Sequence, residues 1–225
     1  MTLEHYFENE RRLNKEQRGK LLYFEAISVA RVHNNPYVMI AKTRQMHATN
    51  LMENYICWYA IAHPNSENMF CTFNSYSMRN MADYLQDMGV LKGWVDNGSR
   101  DLELHNGSVI KCHTTKDMGR PDITLSGKKY GVIVFDEVTI NIGYLSSVLH
   151  NINHLIIIGN STHTTYKIWE NDESNDKTFH KIALSIKQNY LITPSKCGPH
   201  QYRNWVDQIN PFKTMERKVI EEKNE

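Results

Sequence analysis

Long apolar runs are missing from this sequence. Nothing in its 225 residues approaches the roughly 18 consecutive apolar residues of a membrane-spanning helix, so no bilayer partner is expected. The opening Met-Thr-Leu-Glu-His-Tyr-Phe-Glu is acidic, where a signal peptide is basic and then apolar. Cysteine is scarce. Cys57, Cys71, Cys112 and Cys197 are far apart and form no Cys-x-x-Cys pair. That spacing excludes a small disulfide scaffold and a zinc ribbon, and implies reduced thiols in a cytosolic protein. A charge surplus is also lacking. The 26 Lys and Arg against 25 Asp and Glu leave a net charge of +1, which excludes a protein held on nucleic acid by bulk charge. Only local clusters, Arg11-Arg12 and Lys128-Lys129, break the balance. Repeats and low-complexity linkers are absent.

What is present is ordinary globular composition, 40% hydrophobic and 23% charged, enough for a single α/β domain with a sizeable core. Residues 1–35 read as a helical region, ended by His33-Asn34-Asn35-Pro36 because the residue before proline disfavours the helical conformation. Residues 36–190 carry the core elements. Val38–Ile40 reads as a short strand, Leu51–Ala62 as a helix, Asn68–Asn74 as a strand and Ser75–Met88 as a helix. Gly93 to Gly98 reads as a turn. Leu102–Leu104 and Val109–Cys112 flank Asn106-Gly107, a hairpin signal. Tyr130–Phe135 and Leu155–Ile158 are nearly all apolar, as strands buried on both faces of a parallel sheet are. A further strand spans His180–Ile186, and residues 191–225 form a loop and a polar helix. Strands alternating with helices predict a mostly parallel central sheet.

Residues 36–50 carry the most chemistry: Pro-Tyr-Val-Met-Ile-Ala-Lys-Thr-Arg-Gln-Met-His-Ala-Thr-Asn. A short strand runs into a polar turn and then a helix, the setting of a phosphate-binding loop. Such loops end in Gly-Lys-Ser/Thr: the glycine admits phosphate to the backbone, the lysine neutralises it, and the hydroxyl holds Mg²⁺. Here Thr49 supplies the hydroxyl, but His47 and Ala48 stand in place of glycine and lysine. Some ninety residues on, Val132-Ile133-Val134-Phe135-Asp136-Glu137 is an apolar strand ending in two acids. Asp136 is placed to hold a Mg²⁺ hydration shell and Glu137 to polarise an attacking water. A third signal is the strand Leu155–Ile158 running into Gly159-Asn160-Ser161-Thr162-His163, a hydroxyl-rich loop. The fourth, Gln17-Arg18, could read an adenine edge through paired hydrogen bonds from the glutamine.

In this order and spacing the four signals resemble the ATPase domain of tailed-phage large terminase subunits, the motors of DNA packaging. Those proteins carry a Gln-Arg adenine motif, then Ser-Arg-Gln-x-Gly-Lys-Thr. They also have an Asn-Gly-Ser hairpin, a strand ending Asp-Glu, and a strand ending Thr-Thr-Pro or Ser-Thr-Pro before an aromatic helix. This chain shows Gln17-Arg18, Thr43-Arg44-Gln45-Met46-His47-Ala48-Thr49, Asn106-Gly107-Ser108, Asp136-Glu137, and Ser161-Thr162-His163 before Tyr166-Lys167-Ile168-Trp169. The likeness covers roughly residues 14 to 220.

The resemblance implies a three-layer P-loop NTPase fold of the RecA and terminase ATPase kind, with ATP and Mg²⁺ as cofactors. Gln17, Arg18, Lys42, Thr43, Arg44, Gln45, Met46, His47, Ala48 and Thr49 take the nucleotide-binding positions. Thr49 and Asp136 take the metal, Glu137 and Arg44 the catalytic roles, and Ser161 and Thr162 the coupling role. Lys128, Lys129 and Arg120 are candidate DNA contacts. The implied partners are duplex DNA bound without sequence preference, other packaging proteins and further copies in a ring, in the cytoplasm of an infected bacterial host.

Two departures qualify these roles. The His47-Ala48 pair weakens or removes hydrolysis, although Lys42, seven residues before Thr49, matches the displaced lysine of lambda-like large terminases. Large terminases also continue into a nuclease domain rich in metal-binding acids. None follows here, so no nuclease activity is expected. A chain of this length beginning with Met reads as a stand-alone ATPase-like protein, an accessory paralogue or one half of a split terminase. Two other readings stand beside the motor: an interaction protein of terminase shape without turnover, and a helicase fragment lacking its second RecA-like domain.

Overall fold

The computed structural model describes residues 32–42, 48–72, 76–96, 100–114, 127–138, 149–159 and 179–184. Eight strands form one sheet: β1 (Tyr37–Lys42), β2 (Glu67–Thr72), β3 (Leu91–Asp96), β4 (Arg100–Leu104), β5 (Val109–Thr114), β6 (Tyr130–Asp136), β7 (Ile152–Gly159) and β8 (His180–Leu184). Their spatial order is β3-β4-β5-β2-β6-β7-β1-β8. From β5 to β8 every neighbouring pair is parallel, while β3, β4 and β5 form an antiparallel extension at one side. The three apolar segments of the sequence are contiguous inner strands, β6-β7-β1, with Asp136 opposite Ile158 and Ile40 opposite Ile158 on the other side.

All seven residues of β6 are buried. Because successive side chains point to opposite faces, this requires cover on both sides of the sheet. Val38, Ile40, Phe70, Val132, Val134, Ile156 and Ile158 belong to one core cluster with helix α1 (Ala48–Ala62). Met39, Met69, Ile133, Phe135, Leu155 and Ile157, their alternates, are buried as well. Helix α1 is buried almost all round, because the sheet packs on one side and helix α2 (Tyr76–Asp87) on another. In α2 the buried residues Ser77, Met81, Ala82 and Leu85 form one stripe at helical spacing. The helix stops at Gly89, whose φ of 67° closes a Schellman cap. Gly89 N–H donates to Gln86 C=O at 2.9 Å and Val90 N–H to Leu85 C=O at 3.0 Å.

The Asn-Gly hairpin forms, and it also closes α1. Gly107 sits at φ 82°, its N–H donating to Leu104 C=O at 3.0 Å. The Asn106 amide donates to the carbonyls of Ala60 at 2.9 Å and Ile61 at 3.1 Å. Ser108 Oγ donates to the carbonyl of His63 at 2.9 Å. The loop thus satisfies carbonyls that the end of a helix leaves without intrahelical partners.

One local expectation fails. The proposed turn from Gly93 to Gly98 is strand as far as Asp96, since β3 runs from Leu91 to Asp96 and pairs antiparallel with β4; Asn97 and Gly98 lie outside the described residues. The register shifts between Leu91 and Gly93; a glycine inside a strand marks a bulge here and does not end it. Strands β1, β6 and β7 extend beyond their predicted bounds and α1 begins three residues earlier, at Ala48. The Asn68–Asn74 strand instead spans Glu67–Thr72. Cys57, Cys71 and Cys112 are free thiols in the core. Burial pushes the Cys57 and Cys71 thiols upward, toward the inert protonated form. Among the described residues no helix is long and apolar enough to cross a membrane.

Candidate functional site

The parallel strands all present their C-terminal ends at one edge, where open α/β sheets bind ligands. Strand β1 delivers the chain to that edge, and α1 starts there with Ala48 and Thr49 in its first turn. Strand β6 ends there with Asp136, in register with Thr72 of β2 and Ile158 of β7. Thr49 Oγ1 donates a 2.7 Å hydrogen bond to Asp136 Oδ2, so two residues chosen from separate sequence signals meet. Asp136 is 5% exposed. The helix N-terminus adds the positive end of its dipole.

Glu137 follows Asp136 in the left-handed region, with φ 55°, and its side chain is exposed. Its N–H donates to Ile158 C=O at 2.9 Å. That bond bends the chain out of β6 while tying it to β7, and directs Glu137 away from the core. A non-glycine residue held there stores strain, a feature that clusters at ligand sites. Ala48, the residue before Thr49, is 1% exposed and packed in the core cluster.

The sequence reading missed Glu53. It lies one helical turn beyond Thr49 on α1 and is 1% exposed. Burial pushes its carboxyl above the ordinary carboxylate range. Hydrogen bonds from Ser77 and Asn80 oppose the shift, the charge of Asp136 reinforces it, and Asn50 adds a smaller opposing bond. The signal was available: Glu53 is the one charged residue in Ala-Thr-Asn-Leu-Met-Glu-Asn-Tyr-Ile-Cys-Trp-Tyr-Ala-Ile-Ala.

Other predicted residues are placed elsewhere or fall outside the described residues. Lys128 and Lys129 precede β6 and are exposed, at the opposite edge of the sheet, about 25 Å from Asp136 at strand spacing. Lys128 Nζ lies 3.7 Å from Glu67 Oε1, and Lys111 pairs with the same carboxylate. Lys42 ends β1. Gln17, Arg18, Thr43, Arg44, Gln45, Met46, His47, Arg120, Ser161 and Thr162 lie outside the described residues.

The edge remote from Asp136 holds an aromatic and histidine cluster. Tyr59 and His63 stack at 3.9 Å, and His33 stacks on His154 at 6.0 Å. Burial pushes the His154 imidazole below its usual range, with His33 adding to the shift, the Asn35 backbone opposing it, and His63 contributing least. Among the described residues no three His, Cys, Asp or Glu side chains converge in a metal-holding group.

No protein-family model and no curated protein matches the sequence. Solved structures do match the fold. The large terminase of a thermophilic bacteriophage, in complex with ADP, aligns with a TM-score of 0.53 and 10% identity, over 76% of this chain and 47% of that one. A second crystal form of the same enzyme gives 0.53 and 13% over 73% and 44%. The bacteriophage HK97 large terminase gives 0.53 and 14% over 100% and 52%. This chain spans about half the length of the terminases it matches. The fold is that of an α/β, P-loop NTPase-like domain with a mostly parallel central sheet.

Proposed function

We propose that this chain is a nucleotide-binding domain of the phage DNA-packaging kind, taking a Mg²⁺-bound nucleoside triphosphate at the Thr49–Asp136 edge and coupling its occupancy to duplex DNA. The observation that carries this reading is the 2.7 Å hydrogen bond between Thr49 and Asp136. A hydroxyl and a carboxylate oxygen this close are a hard-oxygen pair of the sort that holds Mg²⁺, which takes one or two carboxylates and completes its shell with water and substrate phosphate. The bound ion would neutralise charge on the β- and γ-phosphates.

The chain's own residues do the rest. Thr49 Oγ1 and Asp136 Oδ2 fix the ion's place. The first N–H groups of α1 face the phosphates. Glu137, turned outward, accepts a proton from a water aligned for attack and orients it. Lys42 or Arg44 supplies the cation that Ala48 cannot. The choice of ATP follows the thermophilic-phage terminase, whose structure holds ADP. Gln17 and Arg18 fit the base, and Ser161 and Thr162, beyond β7, are the coupling loop. Duplex DNA, other packaging proteins and a ring of copies in the host cytoplasm are the partners this reading assigns.

The burial of Ala48 favours a second reading: a domain of the same shape that binds a partner without turnover. Titration with Mg²⁺·ATPγS, paired with phosphate release from Mg²⁺·ATP, separates the two. The motor reading expects saturable binding that Asp136→Asn weakens at least ~10-fold, about 1.4 kcal/mol, together with phosphate release by the wild type. Binding without release supports the silent form. No binding at millimolar nucleotide overturns the nucleotide site altogether.

A further inference from the structure

Glu53 is the single charged residue of the fifteen-residue helix α1, and it is 1% exposed. Burying a carboxylate costs several kcal/mol unless charge and hydrogen bonds compensate. The group therefore has to be explained by its contacts, and most of those run to α2. Asn80 Nδ2 lies 3.3 Å and 3.5 Å from its two carboxylate oxygens. Ser77, in the first turn of α2, hydrogen-bonds to it as well, and Asn50 does so from within α1. The next residue continues the seam, Asn54 Nδ2 reaching Tyr84 Oη at 3.4 Å.

In the other direction Glu53 lies one turn from Thr49 and feels the charge of Asp136. Helix α2 in turn follows β2, whose last residue Thr72 is in register with Asp136. Glu53 is thus bonded to α2 while it sits in the field of the Thr49–Asp136 pair. The α2 turn it holds carries Tyr76, 70% exposed, and the exposed Arg79.

We propose that Glu53 is a positioning residue that couples occupancy of the Thr49–Asp136 site to the order of the first turn of α2. The inference rests on the nucleotide-site reading above. The carboxylates of Glu53 on α1 and Asp136 at the end of β6 repel. A cation at Asp136 cancels that repulsion, and the Glu53 carboxylate then takes its charge-assisted bonds from Ser77 and Asn80 at full strength. The first turn of α2 tightens, and Tyr76 and Arg79 are held in one orientation whenever the site is filled.

Hydrogen exchange of the full chain, with and without saturating Mg²⁺·ATPγS, tests this alongside a binding titration. In the wild type the amides of residues 76–87 exchange ~5-fold or more slowly with ligand, the lower end of ordinary coupling. In Glu53→Gln the ligand still binds, weakened no more than ~10-fold, and the slowing is lost. If Glu53→Gln fails to fold, Ser77→Ala/Asn80→Ala removes both α2 partners of the carboxylate, and the slowing should vanish there too. Slowing that survives Ser77→Ala/Asn80→Ala or Glu53→Gln overturns the proposal, as does a wild-type α2 indifferent to bound ligand. A wild type that binds no nucleotide brings down the site reading first. Binding with an unresponsive α2 brings down this inference alone.

Discussion

Thr49 and Asp136, 87 positions apart in sequence, are joined by a 2.7 Å hydrogen bond at the C-terminal edge of the sheet. The bond links the first turn of α1 to the last residue of β6, so the geometry of one sets the geometry of the other. Thr49→Ala removes the donor and leaves the 5%-exposed Asp136 one bond short. Hydrogen bonds to charged groups contribute about 1.5–3 kcal/mol, so chemical denaturation should show a loss of that size. Thr49→Ser should restore most of it, along with Mg²⁺-dependent nucleotide binding. Equal stability of Thr49→Ala and wild type would show that the bond contributes nothing.

Glu137 gives a contrary pair of outcomes. At φ 55° a side chain costs roughly 1–2 kcal/mol that glycine does not incur. Glu137→Gly should therefore raise the unfolding free energy by about 1 kcal/mol while phosphate release is lost. Glu137→Ala should lose release without gaining stability, and should bind Mg²⁺·ATPγS as the wild type does. Undiminished turnover in Glu137→Ala would remove this carboxylate from the chemistry.

The hairpin cap of α1 is a stability device. Asn106→Ala forfeits bonds to Ala60 and Ile61, a cost of about 1–3 kcal/mol, or a fall of ~3–10 °C in Tm for a domain of this size. Gly107→Ala should cost more, because its φ is 82° and an added Cβ would run into Asn65 Oδ1. Gly131→Ala is the severest of the three: at the second residue of β6 its Cβ would stand 2.5 Å from Tyr59 Cε1 and 2.7 Å from Asn68 Oδ1. Differential scanning fluorimetry ranks them, and a reversed order would contradict the packing described.

His154 carries a pH dependence. Burial and the neighbouring His33 hold its folded pKa below the ordinary 6.5. The unfolded chain thus binds a proton more readily than the folded one. The stability this group contributes is complete above the unfolded value and is lost as pH falls through the window below it. His154→Phe keeps a ring in the cluster and removes the titration. Its Tm should fall less than that of the wild type between pH 7 and pH 5; parallel curves would refute the assignment.

DNA affinity, if the motor reading holds, resides in phosphate contacts. Binding should lie in the roughly 10⁻⁴–10⁻⁶ M range of non-specific complexes and weaken steeply with salt. The double variant Lys128→Ala/Lys129→Ala should lower the slope of log K against log salt by about 1–2, nearer the smaller figure because Glu67 already lies 3.7 Å from Lys128. Sequence-dependent binding that ignores salt would indicate a recognition module instead.

The inner strands and the Thr49–Asp136 meeting point were legible because each rests on a local signal. Apolar runs such as Val132–Phe135 can hardly lie anywhere but inside, and a parallel sheet aligns whatever polar residues end them. Strand β3 was hidden because Gly93, which usually punctuates a turn, here accommodates a bulge whose partner strand lies further along the chain. The Asn106 cap was read only as a turn, since its real partners are carbonyls some 45 residues earlier. Glu53 went unweighed for a similar reason. One acid in an apolar helix is visible, but what makes it informative is α2, which the sequence places more than twenty residues later.

The position of β1 has a consequence for how the protein is made. Its partners are β7 and β8, both drawn from the second half of the chain. Strand β1 is therefore made more than a hundred residues before either flank can pair. The shorter-range pairings, β3-β4-β5 and β6-β7, can form before it pairs, and the flanks of β1 close last. Until then β1 is an apolar strand with two open flanks, the kind of segment that pairs with the wrong partner. Yield in the cell should accordingly depend on how quickly the later strands arrive.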